Sequence, residues 1–135
     1  MARYTFLLVL IVVFSLLGCS KEDDEPVNSL EEHPSYISRV DTPESAIVGS
    51  TVPITIYFTV NNGCGQFGSF KVEKKNDATY IEVYPKYREG FCTMDLPTRQ
   101  VIYEFKPEAP GTYTFKFLPV YPDQVITKTI EVVSR

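Results

Sequence analysis

The sequence has no tryptophan, a single histidine, only three cysteines and no excess of positive charge. Its formal net charge is −4 and its pI is about 5.0, so it lacks the basic character that binding to nucleic acid requires. Hydrophobic residues make up 44% and charged residues 22% of the chain, which excludes a disordered protein and a polytopic membrane protein. Its 135 residues fit one small domain.

The first 18 residues have the layout of a cleaved signal peptide. Arg3 gives a positive start, and Phe6 to Leu17 is apolar apart from one serine. As a helix this stretch would extend about 18 Å, well short of the roughly 30 Å hydrocarbon core of a bilayer, so it is too short for a permanent anchor. Leu16-Leu17-Gly18-Cys19 resembles the bacterial lipobox, which implies cleavage before Cys19 and lipidation of its thiol. An ordinary secretory signal that is cut elsewhere is the alternative.

An acidic run, Glu22 to Glu25, follows Cys19. Because such a run cannot bury itself and repels anionic headgroups, we predict that residues 19–35 are a lipidated cysteine and a flexible tether that reaches at most about 55 Å. Ser20-Lys21 followed by acidic residues resembles the surface-export signal of Bacteroidota lipoproteins. This resemblance implies a protein on the outer face of the outer membrane, and a solvated linker in the periplasm is the alternative.

The remaining residues, 36–135, are predicted to form one all-β domain with 11 basic and 11 acidic residues. Apolar and polar residues alternate over Val52–Val60, which predicts a strand with one buried face and places Pro53 near its start or at a sheet edge. No segment has a helical period. Shorter alternating runs predict further strands at Tyr36–Val40, Ser45–Val48, Phe70–Val72, Thr79–Tyr84, Val101–Phe105, Thr112–Leu118 and Gln124–Val133.

Seven or eight short strands separated by Gly, Pro, Asn and Asp clusters predict a single antiparallel β-sandwich of immunoglobulin or fibronectin type III kind. A jelly roll or a small barrel is the alternative. Phe105 to Phe115 resembles the turn and penultimate strand of bacterial immunoglobulin-like modules, in which a Pro-Gly-x-Tyr turn precedes an aromatic strand. The resemblance implies a tyrosine corner, in which the Tyr113 hydroxyl bonds back to the preceding turn.

Two cysteines, Cys64 and Cys92, lie inside the domain, and an exported location favours their oxidation. We therefore predict a disulfide that joins Gly63-Cys64-Gly65 to Phe91-Cys92-Thr93 at one end of the sandwich. A metal–thiolate site would need further ligands, and the histidine, His33, is in the tether. A calcium site would need closely spaced acidic residues, which are missing. No metal or cofactor is predicted.

The segment Gly63 to Gly68 matches G-x-G-x-x-G, but the residues after it alternate like a strand, whereas a dinucleotide site needs a helix there. The chain also lacks the catalytic motifs and the length of a kinase. Because the histidine is outside the domain, a serine or cysteine nucleophile in the domain would have no histidine to act as its base. Paired carboxylates could serve a glycosidase, although solvated strand faces explain the same residues: Glu73, Glu82, Glu89, Asp95 and Glu104. We predict no catalytic residues.

Aromatic side chains near strand ends and loops are the remaining candidates for a binding surface: Tyr80, Tyr84, Tyr87, Phe91 and Tyr121. If Ile81 and Val83 point inward, Tyr80, Glu82 and Tyr84 share the opposite face of the strand. Tyrosines among the charges of Lys86, Arg88 and Arg99 suit contact with a protein or a glycan. A half-exposed sheet surface is the alternative, and the lack of tryptophan weakens the case for sugar stacking.

Taken whole, the chain resembles small Bacteroidota lipoproteins with an immunoglobulin-like domain. The features that carry the resemblance are the leader, the acidic run, Asn62-Gly63-Cys64-Gly65, the cysteine before Leu96-Pro97 and the Pro-Gly-Thr-Tyr strand. The resemblance implies fold and membrane anchoring but no activity. We therefore expect a lipid-anchored, non-enzymatic envelope module that contacts a protein or a glycan. The alternatives are a structural subunit of a larger outer-membrane complex and a two-carboxylate hydrolase. A second copy of the chain could also pair at a free edge strand.

Overall fold

The computed structural model describes residues 33–120 and 124–134, which form eight strands and no helix. Cys19, most of the predicted tether and Tyr121 lie outside the described residues. None of the described segments is a helix of the length and hydrophobicity that crossing a bilayer takes. The strands are β1 (Tyr36–Asp41), β2 (Ser45–Ile47), β3 (Val52–Thr59), β4 (Gly65–Lys75), β5 (Ala78–Tyr87), β6 (Thr98–Phe105), β7 (Gly111–Val120) and β8 (Gln124–Val133).

These strands form two sheets, one in the order β1-β3-β6 and the other in the order β2-β8-β7-β5-β4, so the predicted β-sandwich is confirmed. Four of the strand pairs are antiparallel, as predicted, whereas β2–β8 and β5–β7 are parallel. Between β5 and β7 the chain crosses to the other sheet, where it forms β6, and it returns so that β7 runs in the same direction as β5. Alternation of apolar residues is the same in both kinds of pair, so it does not predict this arrangement.

The core lies between the two sheets and contains the inward residues of the predicted alternation. On β3, Ile54, Ile56 and Phe58 are fully buried, and Pro53 is the second residue of that strand, near its start as predicted. The other sheet contributes side chains from three of its strands: Ile81, Val83, Phe115, Phe117, Ile130 and Val132. Burial of each large apolar side chain stabilises the fold by about 1.5–3 kcal/mol.

Strand β4 is much longer than its predicted core of Phe70–Val72, because its glycines and lysines hide the alternation. The register between β4 and β5 shifts between Phe67 and Ser69, at a β-bulge. A Cβ atom on Gly68 would lie 2.9 Å from the Tyr84 carbonyl oxygen, so only glycine allows this approach. Gly68 of the G-x-G-x-x-G match thus serves strand pairing.

Two turns agree with the sequence predictions. Asn76 and Asp77 have φ values of 51° and 58° and form the two-residue turn of the β4–β5 hairpin, a geometry that suits asparagine and aspartate. The Tyr113 hydroxyl donates a hydrogen bond to the Ala109 carbonyl oxygen at 2.9 Å, as the tyrosine-corner resemblance implied.

One end of the sandwich is closed by what we call the Cys64–Arg99 brace, made of the Cys64–Cys92 disulfide and the Arg99 side chain. The disulfide is confirmed, with a Cα–Cα distance of 5.3 Å. Arg99 on β6 donates hydrogen bonds to the carbonyl oxygens of Gly63, at 3.0 Å, and Gly65, at 3.1 Å. Because β4 begins at Gly65 and belongs to the other sheet, these bonds join the two sheets.

Replacing both bridge cysteines (Cys64→Ala with Cys92→Ala) is expected to lower the free energy of unfolding by about 3.5 kcal/mol, because the unfolded chain regains the loop entropy that the bridge removes. Urea denaturation of the chain from Ser20 onward measures this loss. Met94→Ala, at a side chain in the same loop that is 95% exposed, is the control and should change stability by less than about 0.5 kcal/mol. A loss below about 1 kcal/mol for the double variant would contradict the importance given to the bridge.

Candidate functional site

The structure brings Tyr80, Glu82 and Tyr84 together on the outer face of the five-stranded sheet, because Ile81 and Val83 are buried on the inner one. The strand register adds side chains from both neighbours of β5: Lys71 lies opposite Glu82, Glu73 opposite Tyr80, and Lys116 of β7 beside Tyr80. We call this surface the lysine–tyrosine face; it consists of Lys71, Glu73, Lys75, Tyr80, Glu82, Tyr84 and Lys116.

The two carboxylates of this face are both held by lysines. Lys71 Nζ lies 3.5 Å from a Glu73 oxygen and 3.6 Å from a Glu82 oxygen, so it bridges the two. Lys75 Nζ contacts the other Glu73 oxygen at 3.2 Å. The Tyr84 hydroxyl donates a hydrogen bond to Glu82 Oε2 at 3.3 Å. The charged groups therefore form one connected network across β4 and β5.

Tyr80 lies among the positive charges. Lys75 Nζ lies 4.8 Å and Lys116 Nζ 5.4 Å from the centroid of its ring, both within the range of a cation–π contact. Lys116 also donates a hydrogen bond to the Tyr80 hydroxyl oxygen at 3.4 Å. With three lysines and two glutamates, the lysine–tyrosine face has a surplus of one positive charge.

The network shifts the pKa values of its members in the directions that keep the charges in place. The negative charge of Glu82, and to a smaller extent that of Glu73, raises the pKa of Lys71. The hydrogen bond and the charge of Lys75 lower the pKa of Glu73. Burial, followed by the charge of Glu82, raises the pKa of Tyr84. Lys71, Glu73 and Lys75 are solvent-exposed, so their ion pairs fix the positions of side chains more than they stabilise the fold.

The face has only a shallow depression, of about 150 Å³, lined by Leu118 and five of the seven residues of the face. Sites for small molecules commonly enclose about 300–1,000 Å³. A wider, open depression of about 390 Å³ lies beside it at the hairpin turn, between residues 74–79 and Thr114. No group of three metal-ligating side chains is present in residues 33–120 and 124–134.

The other predicted site residues lie elsewhere. Tyr87 is at the braced end, where its hydroxyl oxygen accepts a hydrogen bond from the Asn61 backbone N–H at 3.0 Å. Phe91 is completely exposed on the loop between β5 and β6. Among the candidate carboxylates, Glu73 and Glu82 both contact Lys71, whereas Glu104 is on the other sheet. Glu89 and Asp95 are in the same loop as Phe91.

Sequence reasoning missed two sets of residues. Lys71, Lys75 and Lys116 join the lysine–tyrosine face through a strand register that alternation alone cannot give. Met94 and Leu96, which are 95% and 66% exposed, stand beside Phe91 on the loop of residues 88–97, which we call the apolar loop. The sequence does indicate that Met94 and Leu96 are exposed, because they are large apolar residues in a segment between Gly90 and Pro97 that has no strand pattern.

The lowered pKa of Glu73 is expected to rise toward its ordinary value in Lys75→Met, because the variant removes the hydrogen bond and charge that favour the carboxylate. In the wild type this contact contributes stability above the ordinary pKa of glutamate, and the contribution is lost as pH falls through the lowered value. Carboxyl ¹³C NMR titration measures the pKa. Lys74→Met removes a lysine on the opposite face of β4 and is the control; an equal rise there would contradict the assignment.

Residues 54–132, more than half of the 135-residue chain, match the family described as the ORF11 beta-sandwich domain. The matched segment runs from β3 into β8 and includes the whole lysine–tyrosine face and both cysteines of the brace. No curated protein and no solved structure matches the chain. The chain belongs to the ORF11 beta-sandwich domain family.

Proposed function

We propose that the chain is a lipid-anchored, non-enzymatic module of the bacterial outer membrane that binds another envelope protein through the lysine–tyrosine face. The observation that carries the proposal is the connected set of lysines and glutamates around Tyr80 and Tyr84. Side chains already fixed by one another lose little entropy on binding. Tyrosines among charges of both signs are typical of protein interfaces.

A protein is favoured over a neutral glycan as the partner of this face. Stacking on a sugar needs an open aromatic ring face, and the Tyr80 ring has two ammonium groups within 5.4 Å of its centroid. The surplus of positive charge makes an acidic glycan the second candidate. A shallow face without a deep cleft also suits the chain as an accessory subunit of a larger outer-membrane complex.

The geometry gives little support to the two-carboxylate hydrolase. Lys71 pairs with both Glu73 and Glu82, and the pKa of Glu73 is lowered, whereas a general acid at neutral pH needs a raised pKa. The depression beside them is about 150 Å³ and leaves little room to enclose a sugar ring away from water. We therefore propose a binding role for these carboxylates.

The proposal of anchoring at Cys19 is supported by the lipobox resemblance and the acidic run that follows it. Residues 20–32 then connect the lipid to the sandwich, and the surface-export resemblance favours the outer face of the outer membrane. Ser35, just before β1, is 6% exposed, and its backbone N–H donates to the Val83 carbonyl oxygen at 2.8 Å.

A photo-crosslinking amino acid in place of Tyr80 is expected to yield one discrete protein adduct in intact cells, because Tyr80 is at the centre of the face. The same amino acid in place of Ile102, which is 54% exposed on the other sheet, is the control. Lys71→Glu with Lys116→Glu should weaken the adduct about tenfold or more, since both charges change sign at the contact.

Equal adducts from the Tyr80 and Ile102 positions would contradict a specific site on the lysine–tyrosine face. Binding to acidic glycans that the same charge reversal abolishes, without any protein adduct, would replace the first candidate with the second. Lys106→Glu changes the charge of the chain by the same amount per site outside the face, and it should leave the adduct unchanged.

A further inference from the structure

The apolar loop exposes large hydrophobic side chains that the fold does not use. Phe91 is completely exposed, Met94 is 95% exposed and Leu96 is 66% exposed. All three fall within six consecutive residues. A group of exposed apolar side chains of this kind indicates a contact with a protein or a membrane.

This loop is held in place from both sides. Cys92, next to Phe91, is bonded to the almost fully buried Cys64. The Gly63 N–H donates to the Thr93 carbonyl oxygen at 3.0 Å, and the Val60 N–H donates to the Pro97 carbonyl oxygen at 3.1 Å. These bonds fix the backbone on either side of Met94 in a position that leaves the apolar side chains exposed.

The loop lies at the end of the sandwich where the described chain begins. His33 borders a depression of about 300 Å³ together with Asn61 and Tyr87. Asn61 in turn bonds to the Tyr87 hydroxyl, and the neighbouring Asn62 side chain accepts a hydrogen bond from the Cys64 N–H at 2.9 Å. The chain therefore leaves toward its N-terminus on the same end that presents the apolar loop.

We propose that the apolar loop is a second membrane contact, in which Phe91, Met94 and Leu96 enter the interface of the bilayer that holds the lipid anchor. This inference rests on the proposed anchoring at Cys19. From Cys19 to His33 the chain extends at most about 50 Å, so the membrane surface is always within reach of this end.

The form of the loop favours a bilayer as the occupant. The exposed side chains stand on one short loop held by the disulfide, and a fluid interface accepts such a group without needing a matching pocket. The loop itself carries one positive and two negative residues, Arg88, Glu89 and Asp95, so its apolar side chains and not its charge carry the contact. The lysine–tyrosine face follows the strands away from this end and remains accessible to a protein.

The lack of tryptophan makes the test direct, because Phe91→Trp creates a single fluorophore in the loop. The mature chain is coupled through the Cys19 thiol to vesicles of phosphatidylethanolamine and phosphatidylglycerol that contain a maleimide lipid, while Cys64 and Cys92 remain in their disulfide. Lipids with brominated acyl chains then quench a tryptophan that enters the bilayer. Val133→Trp, at a residue that is 53% exposed at the opposite end of β8, is the matched control.

We expect blue-shifted emission and several-fold stronger quenching for Phe91→Trp than for Val133→Trp, with Met94→Ser and Leu96→Ser together reducing the quenching. Equal quenching of the two tryptophan variants, or none of either, would overturn the proposal. A protein adduct from a photo-crosslinker in place of Phe91 in cells, together with no quenching by the brominated lipids, would also overturn it and would indicate a protein contact instead.

Anchoring is tested separately, because the coupling supplies an anchor whether or not the cell does. In cells, the full chain should incorporate a palmitate analogue that Cys19→Ser abolishes. Quenching without labelling would support the loop contact and remove the proposed anchor. Labelling without quenching would leave the proposed anchor standing and overturn the loop contact.

Discussion

The connection between the two sheets at one end of the sandwich is the constraint on which the other features depend. A small β-sandwich is held mainly by its apolar core, which is non-directional and does not by itself fix the loops at its ends. Here the Cys64–Cys92 bond and the two hydrogen bonds of Arg99 tie the start of β4 to β6 and to the loop that precedes it. Farther along the same two strands, the Phe70 ring of β4 contacts the Tyr103 ring of β6 with centroids 5.3 Å apart.

This connection separates two surfaces of different chemistry. The apolar loop lies at the braced end with the entry of the chain, whereas the lysine–tyrosine face lies along β4, β5 and β7. If the braced end meets the membrane, the strands carry the face away from the lipid headgroups. In that arrangement the proposed protein-binding face would lie beside the bilayer without being buried in it.

Much of the fold follows from the sequence, and the reasons lie in particular residues. The alternation of Val52 to Val60 predicts β3 and its buried face, and the two cysteines inside the domain predict the bridge. The hydroxyl contact of Tyr113 follows from a local turn motif. In each case the pattern is contained in a few neighbouring residues, or in a pair with no competing partner.

The parts that could not be predicted depend on contacts between distant segments. The crossover through β6 places β7 beside β5 and so brings Lys116 to Tyr80. Nothing in the sequence near either residue encodes this contact. The bulge at Gly68 sets the register that places Lys71 between Glu73 and Glu82. The candidate tyrosines therefore separate into Tyr80 and Tyr84 on the sheet face and Tyr87 at the braced end.

The central claim is that the brace holds the apolar loop rigid and outward, and backbone ¹⁵N relaxation of Phe91, Met94 and Leu96 tests it most directly. In the oxidised chain we predict order parameters close to those of the strands, about 0.85, and a fall below about 0.6 once both bridge cysteines are replaced while β3 stays unchanged. Values below about 0.6 in the oxidised chain would contradict the claim.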